Sequence, residues 1–436
     1  MRNKIRGPQT VLIESLNENG CGLPLDKKIA VYGALPGETV IAAPITFKKK
    51  MLYARAESVE NPSPHRVEPL CAVAGHCGGC SFQHLDHVVQ IQNKSNLLKD
   101  ALAPVVPVQW LQPLTHTISN YRSKARLGVR YVPKKERVLV GFREKMKPYI
   151  TDTPSCPVLV DPIATLVQPL AELISQLSQP DKLPQIEVSC GDDSSAMIFR
   201  HLEDLTESDL ALFAKFADQY GIMVFLQPAG LDSVHALDDA QGQPELRYSL
   251  PEYDLTYQFS PTDFTQVNLG MNRLMVKQAI NLLELSDEDS VLDAFCGIGN
   301  FSLAMARHAK RVYGVEQSIG SIDRARDNAV LNDISNVEFS VADLHAEIPE
   351  INELEGFNKV LLDPPRSGAE ALVKMLASAN VERVVYVSCN PATLARDVKI
   401  LVERGYRLQS AGIIDMFPHT THVESVALLT RQAQNP

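Results

Sequence analysis

The sequence predicts a multidomain α/β protein: a small β-barrel over residues 1–62, a central α+β domain over 63–258, and a Rossmann-like, doubly wound parallel sheet over 259–436. Three observations predict it. A chain of 436 residues is too long for one ordinary core. Residues 10–60 break into short apolar runs divided by Asn-Gly and Pro-Gly turns. From about Phe259, strand-like runs alternate with helix-like segments, the rhythm of a parallel sheet with helical crossovers.

The N-terminal runs are Thr10–Leu16, Lys28–Tyr32, Glu38–Ala43 and Tyr53–Val59, separated by Asn19-Gly20-Cys21-Gly22 and Leu35-Pro36-Gly37. Short strands so punctuated suit a barrel of about 50–60 residues. Lys48-Lys49-Lys50 reads equally as a solvated hairpin tip or as part of a weak RNA-binding face. Asn61-Pro62-Ser63-Pro64 then marks a linker.

No run of 18 apolar residues occurs, and Met1 to Gln9 lacks the apolar core of a leader, so a cytoplasmic protein with no membrane partner is expected. In that compartment eight cysteines read first as metal ligands or catalysts. Cys71, Cys77 and Cys80, with Gly78-Gly79 between the last two and the Pro-flanked Cys156 far downstream, supply four soft ligands for tetrahedral zinc or a [4Fe–4S] cluster. His76 and His84 keep zinc open.

Apolar residues spaced from Val88 to Leu102 predict an amphipathic helix. The net charge of −10 argues against a nucleic-acid partner, but charge is segregated. Residues 121–150 carry ten Lys and Arg against two acids, whereas 203–254 carry eleven acids. Strands are predicted at Lys124–Tyr131 and Arg137–Arg143. In the first, Lys124, Arg126 and Arg130 share one face at about 7 Å intervals, comparable to phosphate spacing.

In the C-terminal part, Val291–Ala294, Val312–Glu316, Val337–Asp343, Val360–Asp363 and Val384–Val387 are the predicted strands. Gly297-Ile298-Gly299 is half a dinucleotide fingerprint, with Ser302 where the third glycine would stand. Glu316 ends the next strand, where an acid binds ribose hydroxyls, and Asp343 and Asp363 end later ones. Glycines without the pyrophosphate pattern suit S-adenosylmethionine. Cys389, in Ser388-Cys389-Asn390-Pro391 directly after a buried strand, is then explained by chemistry at uracil C5. Thiolate addition at C6 makes C5 nucleophilic, and a base must afterwards remove the C5 proton. Glu424, at the start of the last strand, can be that base. Asp-Pro-Pro followed by Arg366 rather than an aromatic disfavours methylation of an exocyclic amine.

Asp293–Ser302, Leu361–Gly368, Val387–Asp397 and the His422-Val423-Glu424 ending resemble the RNA uracil-5-methyltransferase family across essentially the whole chain. That resemblance implies Cys389 as nucleophile and Glu424 as base. It further implies that Gln266, Phe295, Asn300, Glu316 and Asp363 contact S-adenosylmethionine, with Asp343 less directly matched. It also implies a TRAM-type, OB-like N-terminal barrel and a [4Fe–4S] cluster on Cys71, Cys77, Cys80 and Cys156. Members with that barrel and cysteine set act on bacterial 23S ribosomal RNA, so such an RNA is the expected partner of a monomeric enzyme. Transfer RNA, another ribosomal site, or RNA binding without catalysis are the alternatives.

Overall fold

The computed structural model describes residues 7–238, 245–344, 356–379 and 381–432. Met1 to Arg6, part of the stretch read as lacking a leader's core, lie outside the described residues.

The N-terminal part is β-rich. Gln9–Leu12, Thr39–Lys48, Met51–Glu60, Ile29–Tyr32, Gly22–Leu23 and Ser15–Leu16 form one six-stranded sheet in that spatial order. The predicted run Thr10–Leu16 is thus two strands, and the run from Glu38 extends to Lys48. Lys49 and Lys50 turn the long hairpin with φ of +48° and +64°, the backbone a two-residue turn needs. Ile13, Ile29, Val31, Val40, Ala42 and Ala54 fill the interior.

A second six-stranded sheet runs His235–Ala236, Ile222–Gln227, Ser195–Arg200, Gln185–Cys190, Lys124–Val132, Arg137–Gly141. Helix Glu207–Tyr220 beside it begins with a reciprocal capping box between Thr206 and Asp209 and stops at Gly221 in the left-handed region.

The third sheet holds seven strands that are, in chain order, Ser290–Ala294, Arg311–Glu316, Val337–Val341, Lys359–Leu362, Arg383–Ser388, Tyr406–Ile414 and Glu424–Arg431. Their spatial order is third, second, first, fourth, fifth, seventh, sixth, and Gln109–Trp110 adds an edge strand beside the sixth. The first five are parallel, and the seventh runs antiparallel to the fifth and sixth. Strand period separates the two cores: Val291, Leu361, Val385 and Val426 face one layer, and Leu292, Val360, Val384 and Ala427 the other.

Two segments differ from expectation. The helix His87–Ala101 forms, but Val88 is 73% exposed, and the buried side chains are Gln90, Lys94 and Leu98. Gln90 and Lys94 are buried because they meet polar backbone and Asp415, while Leu98 packs into the apolar core. The hairpin Leu246–Leu250/Leu255–Phe259 packs its Tyr248, Tyr257 and Phe259 into the C-terminal core. It is stitched to helix Ile319–Leu331 by Asn328 and Asn332. Among the described residues no helix is long and apolar enough to cross a membrane.

Candidate active site at the strand ends

Strand order reverses between the first and fourth strands, and open α/β sheets bind ligands outside the carboxyl ends at such a point. A cavity of about 710 Å³ lies there, bordered by Gln266, Phe295, Asn300, Glu316, Asp363, Cys389 and Glu424. Seven of the eight predicted catalytic and cofactor residues therefore converge on one space. Asp343 is exposed, and its neighbours Ala342 and Leu344 supply the lining instead.

Each residue is placed by its local sequence. After the first strand, Phe295 takes φ of +67°, a costly conformation for an aromatic residue, and Gly297 and Gly299 follow at +54° and +87°. The Phe295 and Cys296 amides both bond Val315 O, at 2.8 and 3.0 Å, which folds the turn over the second strand. Glu316 accepts from the Gln317 and Ser318 amides at 2.8 and 3.1 Å and holds the next turn in place.

Asn300 behaves differently from a free ligand contact. Its carboxamide exchanges two 2.9 Å bonds with Asn272 and accepts a third of 2.9 Å from Tyr248 Oη. Its side chain is used within the protein, so it fixes the turn. Asn272 and Tyr248 are not singled out by the sequence, because Asn272 sits in a helical pattern and Tyr248 in a stretch with no motif.

Ser-Cys-Asn-Pro is a strand-to-helix junction. Asn390 caps helix Pro391–Val402 by accepting from the Ala392 amide at 3.1 Å, and Pro391 occupies the first turn, where its missing N–H costs nothing. Asn390 Nδ2 also donates to Arg366 O at 3.0 Å, tying this junction to the Asp-Pro-Pro-Arg turn. Ser388 pairs with Ser425 across the fifth and seventh strands, so Cys389 and Glu424 emerge side by side at the same sheet edge.

Burial dominates the electrostatics. It pushes the Cys389 thiol up to about 11, with the Glu424 and Asp363 carboxylates adding to the rise and Arg366 opposing it. Glu424, 7% exposed, is held well above the carboxylate range by burial and then by Asp363, again opposed by Arg366. Burial raises Asp363 to about 7. Arg366, whose guanidinium lies 3.3 Å from His422 Nδ1, thus acts on both Cys389 and Glu424. Beneath the glycine turn, fully buried Asp293 accepts from Ser302 Oγ while its Oδ1 has no partner.

Cys71, Cys77, Cys80 and Cys156 come together in space, each lying within electrostatic reach of at least one other. Burial raises Cys80 to about 12 and moves Cys71 and Cys156 upward as well. The Gly79 amide points at Cys77 Sγ at 3.4 Å and Gln83 Nε2 at Cys80 Sγ at 3.2 Å. Among the described residues no three His, Cys, Asp or Glu side chains form a ready cage for a metal ion. His76 is bonded to Arg55 at 2.9 Å, and His84 is buried and kept neutral, its basicity pushed down to about 3.

The row of cations differs from the free face expected. Lys124 donates to Asp263 O and is pushed down to about 8 by burial, and Arg126 pairs with Glu187 at 2.8 Å, leaving Arg130 exposed. Lys135 and Arg137 both pair with Asp152. Lys145 is buried at the thiols, donating to Ala74 O and Cys77 O. Much of the local charge is thus spent on holding the fold.

The profile of the tRNA (Uracil-5-)-methyltransferase family matches residues 86–432. A Hahella chejuensis protein named 23S rRNA (uracil(1939)-C(5))-methyltransferase RlmD is 46% identical, covering 97% of each chain. A protein of the same name from Legionella pneumophila (strain Lens) is 48% identical, again over 97% of both. Among solved structures, a Pyrococcus abyssi tRNA (uracil-54, C5)-methyltransferase in complex with S-adenosyl-L-homocysteine superimposes with a TM-score of 0.75 at 27% identity, covering 97% of this chain and 99% of that one. By sequence match over most of its length, and by a fold that brings its motifs to one cavity, the chain belongs to the tRNA (uracil-5-)-methyltransferase family.

Proposed function

We propose that the chain methylates carbon 5 of a uridine in 23S ribosomal RNA, with S-adenosylmethionine as donor. The observation that carries this reading is the emergence of Cys389 and Glu424 at adjoining strand ends, beside the cavity bordered by Glu316 and the glycine turn. When bound, S-adenosylmethionine supplies an electrophilic methyl group. Open space at Gly297 lets a ligand approach the backbone, and Glu316, Gln266, Phe295 and Asp363 border the space it would fill.

Cys389 gives up its thiol proton to solvent, the thiolate Sγ forms a bond to C6, and the displaced π electrons make C5 the nucleophile. Once C5 carries the methyl group, the Glu424 carboxylate takes the C5 proton. The C–H electron pair then restores the C5–C6 double bond and expels the thiolate. Burial and Asp363 suit Glu424 to this step, because a raised pKa strengthens a carboxylate as a base. The pyrimidine must leave its stack to reach the thiol, at a cost of about a few kcal/mol. Contacts to the β-rich N-terminal part, read as a TRAM-type barrel, and to exposed cations such as Arg130 offset that cost.

The same reading divides the chain into an RNA-binding barrel (1–62), a cysteine-bearing central domain (63–258), whose last hairpin packs into the C-terminal core, and a methyltransferase domain (259–436) acting as a cytoplasmic monomer. Cys71, Cys77, Cys80 and Cys156 are four free thiols, soft donors of the kind a [4Fe–4S] cluster takes. The N–H groups at Cys77 and Cys80 are of the kind that tune cluster sulfur. Purified protein should absorb near 400 nm, and Cys156→Ser should lose that band; zinc in place of iron removes this part.

The test uses labelled S-adenosylmethionine with 23S ribosomal RNA and with transfer RNA. Methyl transfer to the ribosomal RNA alone is expected, and transfer to transfer RNA alone reassigns the substrate. Cys389→Ala should abolish turnover while retaining S-adenosylmethionine binding. Glu424→Gln should trap a covalent enzyme–RNA adduct that survives denaturation, and normal release would reassign the base.

A further inference from the structure

Just ahead of Glu424 runs a short segment, Asp415 to Thr420, mostly buried, much of whose backbone is bonded to other parts of the chain. Four consecutive carbonyls each receive a donor from elsewhere. Asn268 Nδ2 donates to Met416 O at 3.3 Å, Lys94 Nζ to Phe417 O at 2.9 Å and Tyr121 Oη to Pro418 O at 3.0 Å. The Ser81 and Phe82 amides donate to His419 O at 2.8 and 3.0 Å. Gln90 Oε1 accepts from the His419 amide at 3.0 Å, and Gln90 Nε2 lies 3.3 Å from His419 Nδ1. His419 Nε2 donates to Ile118 O at 3.0 Å, and Lys94 and His87 clamp Asp415 at 2.7 and 2.8 Å.

Most of these donors belong to the part of the chain that carries the clustered cysteines. Ser81 and Phe82 follow Cys80 directly, and Tyr121 packs against Cys80 and Cys156. On the other side the segment continues through His422, which meets Arg366, into Glu424. The buried groups would each lose a partner if the segment shifted, so its position is set by the cysteine lobe rather than by the sheet alone.

We propose that Asp415–Thr420 is a strap through which the cysteine lobe positions Glu424 for proton abstraction, making Tyr121, Gln90 and Lys94 positioning residues for release of the methylated base. This rests on the reading of Glu424 as the base. It gives the cysteine lobe a task in catalysis without electron transfer: holding a carboxylate in register with C5. Small displacements matter there, since about 1 Å of misplacement can cost on the order of 100-fold in rate.

The experiment compares Tyr121→Phe, which removes one hydroxyl donor and keeps the ring, with Gln90→Met, which removes the bonds to His419 together with those to Phe82 O and Leu85 O. Calorimetry measures S-adenosylmethionine binding, steady-state assays measure kcat and KM, and denaturing gels measure the covalent enzyme–RNA adduct. The expected result is a fall in kcat of about tenfold or more, an accumulating adduct, and cofactor binding unchanged within about twofold of the parent. A fall in kcat without adduct, in step with loss of folded protein, overturns the strap, as does an unchanged kcat in both variants. Glu424→Gln run in parallel separates the two readings. An adduct there but not in the strap variants refutes the strap alone, whereas no adduct in any of them refutes the base assignment and the strap with it.

Discussion

The raised thiol of Cys389 makes a quantitative prediction about the resting enzyme. An ordinary cysteine with a pKa of about 8.5 is about 3% thiolate at pH 7, whereas a group at about 11 is ionised to only about 0.01%. The deficit is about 300-fold, and the greater nucleophilicity of a more basic thiolate restores about tenfold of it. Alkylation of Cys389 by iodoacetamide at pH 7 should therefore run about 30-fold slower than that of a free thiol. It should climb tenfold per pH unit up to about pH 10.

The assay is quenched-flow alkylation, with the Cys389 peptide quantified by mass spectrometry. Cys389 borders the cavity, so the reagent can reach it. Two variants fix the sign. Asp363→Asn removes an anion that raises the thiol and should speed alkylation, and Arg366→Met removes the opposing cation and should slow it. An inflection at or below 8.5 in the parent, or opposite responses of the two variants, would refute the placement of the thiol among buried carboxylates.

Two further predictions concern stability. Lys94 and Asp415 are each 1% exposed at their side chains. Lys94→Met leaves a buried carboxylate with His87 alone and should cost about 3–5 kcal/mol in urea unfolding, while the double change with Asp415→Asn should cost less than the single one. Burial tends to raise Asp415, but His87 and Lys94 outweigh it and the carboxyl lies below its ordinary range. Its contribution is therefore fully present above the unfolded pKa of about 3.9 and is lost as pH falls through the lower folded value. At Gly314, a methyl group would stand 2.5 Å from Phe339 Cδ1 and 3.0 Å from Cys296 Sγ. Gly314→Ala should cost about 1–3 kcal/mol, most of it recovered by adding Phe339→Leu; a neutral single change would show slack in that layer.

How far the sequence reached follows from what each signal measures. Buried parallel strands are largely apolar runs, so Val291–Ala294, Val360–Leu362 and Val384–Val387 were legible, and Asp363 and Ser388 directly after the last two mark the ligand edge. The candidate site residues were legible because their types are restrictive: a thiol after one buried strand, acids at the ends of two earlier ones, glycines where the backbone must turn left-handed. The helix His87–Ala101 was legible as a helix but not in its orientation, because periodicity reports which side is apolar. Here the buried side is chosen by Asp415, more than 300 positions away. The same limit hid the fate of the basic stretch. Sequence spacing put Lys124, Arg126 and Arg130 on one face, and Asp263 and Glu187, from distant segments, use two of them.

The sequence by itself thus determined which residues are the candidates to react and on what kind of sheet they sit, because strand period and residue chemistry are local properties. Only the tertiary structure decided that Cys389 and Glu424 stand side by side. That depends on the last strand returning antiparallel between the fifth and sixth, a pairing of segments some 35 residues apart. It also decided that Asn300 bonds Asn272 and Tyr248, and that the segment before Glu424 is bonded to residues beside the clustered cysteines. Those choices are settled by burial, which obliges each polar group to find a partner from whatever part of the chain arrives beside it.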